Sequence, residues 1–215
     1  MREDEPPRLA GALLDPPRHV CAFFNSEDEE YRVLLPFIKD GFAVGHKAVH
    51  VVSPDRHDQH VDRLIAAGID AADARRRGQL DIRSSTGAYL HGGRFNQDRM
   101  LQTFEKIASR REAIFPANRI VCQMEWAADH PSCIHDVIEF EARVNHLWSR
   151  HGDTVVCVYD LAKFSSDAVL DVTRTHPLII VGGVIQRNPF FVPPDVFLRE
   201  LRDRQPRSCA CACAS

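Results

Sequence analysis

Continuous apolar runs alternate along this chain with stretches in which apolar residues recur every three or four positions. The runs are HVCAFF (19–24), KAVHVVS (47–53), QLDIR (79–83), RIVCQME (119–125), TVVCVYD (154–160) and LIIVGGVI (178–185). Short apolar runs rich in β-branched residues predict buried strands. Between them, Tyr31, Leu34, Leu35 and Ile38 mark a helix, opened by Ser26 as N-cap with Glu29 three positions on. Pro36 inside that helix predicts a kink or a break. Further helices are expected through His60, Leu64 and Ile65 up to Gly68, from Asn96 to about Ile114, from about Ser132 to Trp148, and briefly ahead of His176-Pro177. Strands interleaved with helices predict an α/β fold: a mostly parallel sheet with helices on both faces, a three-layer arrangement.

Two of the runs stop abruptly at polar or aromatic residues, and a third leads straight into a capped helix. In parallel sheets the carboxyl ends of strands are where binding groups collect. Asn25 and Ser26 follow the first run, Glu125 ends the fourth with Trp126 next, Tyr159 and Asp160 close the fifth, and Tyr89 and His91 are expected on a loop just before the flexible pair Gly92-Gly93. These eight are the candidate ligand-binding residues. Each has a plainer role open to it: capping for Asn25 and Ser26, pairing with an arginine for Glu125, core packing for Trp126 and Tyr159, a turn for Asp160. His91 is read as part of a lid or as plain turn chemistry.

Composition narrows the setting. The 215 residues suffice for one sizeable α/β domain, and a formal charge of −3 gives no general reason to expect nucleic acid or a membrane surface as partner. No apolar run reaches membrane-spanning length, and MREDEPPRLAG lacks the pattern of a signal peptide. A cytoplasmic protein is expected, with residues 1–17 as a flexible leader, 18–204 as the domain and 205–215 as a flexible cysteine-rich tail. The seven cysteines show no even framework and are expected to be reduced. Cys21, Cys122 and Cys157 each stand three residues before Phe24, Glu125 and Asp160, which predicts one shared face. They read as small side chains under a packed helix, with a thiol row below a pocket floor as the sharper account. The histidines carry no HExxH or CxxC spacing, so His57 and His60 are assigned to a solvated helix face and no metal site is expected. Cys209, Cys211 and Cys213 in the tail are the remote alternative for a soft ion.

The segment VHVVSPDRHDQHVDRLIAAGIDAADARRRGQLDIRSS resembles the matching part of RecA-like ATPases of the KaiC type. More fully, HVCAFF, GQL, YLHGGRF, QMEWA, VCVYDLAKF, THP and NPFFVPP occur in an order similar to the MEDS domain, the sensory domain named for methanogens, methylotrophs and the regulator DcmR. That resemblance implies a RecA-like fold with VCVYD between HVCAFF and QMEWA, and Glu125 where the acidic residue ending the Walker B strand would stand. It also implies a sensor of small molecules, thought to include hydrocarbon derivatives, that feeds transcription or signalling. A phosphate-cradling P-loop needs GxxxxGK[ST]. The equivalent turn here reads FFNSEDEEY, without glycine or lysine, so no P-loop and no ATP hydrolysis are expected. Any cofactor is left open. The expected role is therefore a non-catalytic sensory domain in signal transduction or transcriptional regulation, acting through a regulatory protein partner or self-association. A hydrolase or degenerate nucleotide enzyme using Glu125 and Asp160, and a thiol-based metal or redox sensor, stand as alternatives.

Overall fold

Seven strands build the central sheet: β1 His19–Phe24, β2 Lys47–Val52, β3 Leu80–Ser84, β4 Asn118–Gln123, β5 Thr154–Asp160, β6 Leu178–Val181 and β7 Val184–Arg187. The computed structural model describes residues 6–91, 94–109 and 114–204. Spatial order is β7-β6-β1-β5-β4-β2-β3, parallel throughout except for the β6–β7 pair. VCVYD does lie between HVCAFF and QMEWA. The run LIIVGGVI, expected as one strand, is instead the β6–β7 hairpin. Val181 pairs with Val184 across Gly182 and Gly183, whose φ angles of +58° and +75° suit a two-residue turn that other side chains resist.

The helices are α1 Glu27–Ala43, α2 His57–Ala66, α3 Ala71–Arg76, α4 Ser85–Tyr89, α5 Gln97–Ser109, α6 Glu125–Ala128, α7 Ile134–Trp148, α8 Ser166–Arg174 and α9 Pro194–Arg204. Successive strand residues face opposite sides, so one core lies under α1, α2 and α3 and the other under α5, α7, α8 and α9. Pro36 does not break α1. Both Pro36 and Arg32, whose carbonyl loses its partner to the proline, are exposed, so water can take the missing bond. Ser26 Oγ accepts from the Glu29 amide as expected, while the Glu29 carboxylate reaches past the cap to the Asn25 amide. Gly41 leaves room in α1 for the Arg119 side chain, whose Cδ would stand 2.6 Å from a Cβ there.

Part of the segment read as a flexible leader is packed. Arg8–Leu9 pairs with Ala12–Leu13, and Leu9 and Leu14 are buried in the first core, because two leucines within reach of an apolar sheet face gain more from burial than they lose in chain freedom. The cysteine-rich tail, with Cys209, Cys211 and Cys213, lies outside the described residues.

Candidate functional site

The carboxyl edge of the sheet is built around one buried cation. Arg56, in the turn after β2, pairs with Glu30 at 3.0 Å, Glu125 at 3.0 Å and Glu27 at 3.1 Å. The other Glu125 oxygen takes Lys163 Nζ at 2.6 Å, and Gln123 bridges Ser53 N and the second Glu30 oxygen. Burial pushes the Glu30 carboxyl above the usual carboxylate range, and Arg56 and Gln123 offset this only in part. Sequence reasoning missed Arg56, Glu30 and Lys163, since nothing in their local pattern departs from ordinary surface residues.

The eight predicted residues divide at this edge. Glu125 is 8 % exposed, and both its oxygens are committed to cations. Asp160 is half-buried on the same edge and its Oδ1 accepts the Ala162 amide, closing a turn. Asn25 and Ser26 are exposed and engaged in capping α1. Tyr89, expected on a loop, ends helix α4 and is buried, because its ring stacks on Trp126 with centroids 4.6 Å apart. Phe95 closes the same aromatic group at 5.2 Å from Trp126. Among the described residues the Trp126 Nε1 has no partner, nor does the buried Ser85 Oγ, which lies four positions before Tyr89 in helix α4. His91 pairs through its backbone with Arg94. Tyr159 points away from the edge into the sheet face under α7, where its hydroxyl donates to Glu141 Oε1 at 2.8 Å. A surface groove of about 520 Å³, lined by Phe42, Ile69, Gln79 and Phe115 among others, lies at the opposite, amino edge and includes none of these residues.

Beneath the edge, the three cysteines do share a face and register: Cys21 pairs with Cys157, and Cys157 with Cys122. Burial raises all three thiols, Cys122 to about 12, so none is a ready nucleophile. Next to Cys157 stand His19, Glu141 and His176, and one donor atom from each of the four lies within 4.8 Å of the others. Burial, then the neighbouring His19, pushes His176 down to about 3. Burial alone would raise Glu141, but the adjoining His19 and His176 and the Tyr159 hydroxyl outweigh it and hold this carboxyl low. His60, assigned to a solvated helix face, is buried instead: its Nδ1 meets the Tyr31 hydroxyl at 2.8 Å and its Nε2 meets His50 Nδ1 at 2.9 Å. The reason is that α2 turns this residue toward the sheet, one position class with the buried Leu64.

Residues 18–177 match the family model described as MEDS, the MEthanogen/methylotroph, DcmR Sensory domain. The chain belongs to this family. Among solved structures, a KaiC-like protein, PH0186, from the hyperthermophilic archaeon Pyrococcus horikoshii OT3 is similar with a TM-score of 0.55 at 16 % identity, covering 76 % of this chain and 69 % of that one. At that identity the likeness shows a shared KaiC/RecA-like fold. A search of curated proteins gives no match. The MEDS match ends at Pro177, one residue past His176, while helix α9 beyond it still packs Phe197 and Leu201 into the second core.

Proposed function

We propose that this MEDS domain is a non-catalytic sensor that binds a small organic molecule at the carboxyl edge of its sheet. It passes the signal, toward transcription or another output, through a partner protein or self-association in the cytoplasm. The observation that carries this is the aromatic group of Tyr89, Phe95 and Trp126, whose buried Trp126 indole N–H is unpartnered among the described residues, as is the buried Ser85 hydroxyl on the adjoining helix α4. An apolar enclosure with a few convergent polar groups suits a small, weakly polar ligand such as a short alcohol or a halogenated hydrocarbon. Ligand affinity shifts the domain only as far as it differs between the bound and free arrangements of the 84–95 segment.

An enzyme built on Glu125 and Asp160 is disfavoured by the same edge. A general base must stand within hydrogen-bond reach of the proton it takes, presented to the substrate rather than tied into ion pairs or a turn. Glu125 spends both oxygens on Arg56 and Lys163, and Asp160 holds a turn. Phosphate release from ATP with magnesium should stay at the buffer rate.

The test of the sensory reading is calorimetric titration with a panel of small alcohols and halogenated hydrocarbons, repeated on Trp126→Phe. Phenylalanine keeps an aromatic face but removes the donor, so affinity should drop about 2- to 10-fold, as expected for one hydrogen bond. No saturable binding across the panel, or equal affinity in the variant, would remove the aromatic group from the site.

A further inference from the structure

Under α7, lone pairs outnumber the protons available to them. His19 Nδ1 lies 3.0 Å from Asn145 Oδ1, an acceptor whose amide nitrogen is already engaged with the carbonyls of Glu141, Ala142 and Thr175. A neutral His19 therefore carries its proton on Nδ1 and directs an Nε2 lone pair inward. His176 Nδ1 lies 2.9 Å from the Val172 carbonyl oxygen, which demands the same tautomer, and its Nε2 is buried with no hydrogen-bond partner among the described residues. Tyr159 occupies Glu141 Oε1, so Oε2 faces both imidazoles, at 3.3 Å from His19 Nε2 and 3.5 Å from His176 Nε2. Cys157 Sγ sits 3.6 Å from His19 Nε2 and 3.7 Å from Glu141 Oε2. With both rings neutral, three acceptors share one thiol proton where His19, His176 and Glu141 are all 0 % exposed. Such crowding of lone pairs is costly unless a further proton or a metal cation fills the space.

We propose that His19, Glu141, Cys157 and His176 form a closed four-coordinate site for a divalent ion of the zinc class. A tetrahedral ion with bonds of about 2.0–2.1 Å to nitrogen and oxygen and about 2.3 Å to sulfur sets its ligands roughly 3.3–3.6 Å apart. Four of the six edges, at 3.3–3.7 Å, come close to that pattern with the sulfur edges the longer ones, and the other two lie within 4.8 Å. Charge also selects the ion: one carboxylate and one thiolate balance a divalent cation, whereas Cu(I) would leave a net negative charge buried. Asn145, the Val172 carbonyl and Tyr159 supply the outer hydrogen bonds that orient ligating side chains in metal proteins. On loading, the Cys157 proton leaves to solvent as the metal–sulfur bond forms; the other ligands give existing lone pairs and no electron is transferred. Four protein ligands in a fully buried setting make the site structural rather than catalytic, so the inference stands apart from the sensory reading.

The experiment uses the full chain with Cys209, Cys211 and Cys213 replaced by Ser, so that tail thiols hold no metal. Purified without chelator, it should carry one equivalent of metal per chain. Exchange for Co2+ should give the strong visible bands of a tetrahedral ion and a near-ultraviolet thiolate-to-cobalt band. Cys157→Ser should abolish the thiolate band, Cys21→Ser on the neighbouring strand should leave it intact, and Asn145→Ala should weaken affinity about 10- to 100-fold. Should Cys157→Ser fail to fold, X-ray absorption of the zinc-loaded chain decides, by a shell of two imidazole nitrogens, one oxygen and one sulfur. A chain that stays metal-free after refolding with zinc, a different ligand shell, or a thiolate band that survives Cys157→Ser overturns the site.

Discussion

Two buried histidine pairs lie on opposite faces of the same sheet, and they are built on opposite principles. His50 and His60 bond to each other, and Tyr31 bonds to His60, so donors and acceptors alternate, with only His50 Nε2 at the end left without a partner among the described residues, and no ionised group joins the chain. His19 and His176 instead turn their proton-bearing nitrogens outward, toward Asn145 and the Val172 carbonyl, and direct bare nitrogens at a carboxylate and a thiol. Both pairs are buried and both contact aromatic rings. The direction of each hydrogen bond, rather than residue type or burial, separates a core histidine from a ligand.

The sharpest way to break this comparison is Glu141→Gln. A glutamine amide can donate to the bare nitrogens but carries no charge for an ion, so the metal-loaded protein should lose about 3–5 kcal/mol in urea unfolding, the cost of opening a buried charge pair. Chelator treatment should bring wild type and variant together. Equal stability of the two in the presence of zinc would mean that the four side chains hold no cation.

Acid probes the other pair. Burial first, then the charges of Arg56, His57 and Arg75, hold His60 down to about 4, and burial with His60 alongside lowers His50 well below its ordinary value. The unfolded chain takes up a proton near pH 6.5. Between these values the unfolded state binds more protons than the folded one, so the contribution is complete above about pH 6.5 and is lost as pH falls toward 4. For His60 alone this amounts to roughly 3 kcal/mol at the acid end. His60→Gln should flatten the decline measured by thermal unfolding across that window. A slope identical to wild type would show that His60 is not held neutral.

The smallest effect should come from Tyr31→Phe. It removes one neutral hydrogen bond at His60, worth about 1 kcal/mol, and leaves metal content untouched. A loss as large as that of Glu141→Gln would make the two pairs energetically alike.

Much of the fold was legible because strand runs and helical spacing are local signals. The order of β1, β5 and β4 and the shared face of Cys21, Cys122 and Cys157 followed from those signals together with the RecA-like resemblance. The hairpin at Gly182-Gly183 was missed although paired glycines between apolar runs are its signal. The charged edge was only partly legible, since Arg56 joins Glu125 from a turn 69 residues away. Glu141 offered a signal that went unused: with Val137, Val144, Asn145 and Trp148 it shares the buried stripe of α7, where a carboxylate has no ordinary reason to be. His19 stands two residues before Cys21 and so on the same strand face, but its meeting with His176 depends on β6 lying beside β1, which no local pattern contains.

The placement of the two outer ligands has a consequence for the order in which the chain assembles. His19 and His176 stand one residue inside the two limits of the family match, so the cluster fastens the first strand of the matched region to its far end. His19 and Cys157 are 138 positions apart, and closing so long a loop is entropically dear. During synthesis, β1 must wait for almost the entire domain to emerge before its histidine can meet the others. Once closed, the cluster acts as a clasp, so its opening should set the pace of unfolding more than that of folding.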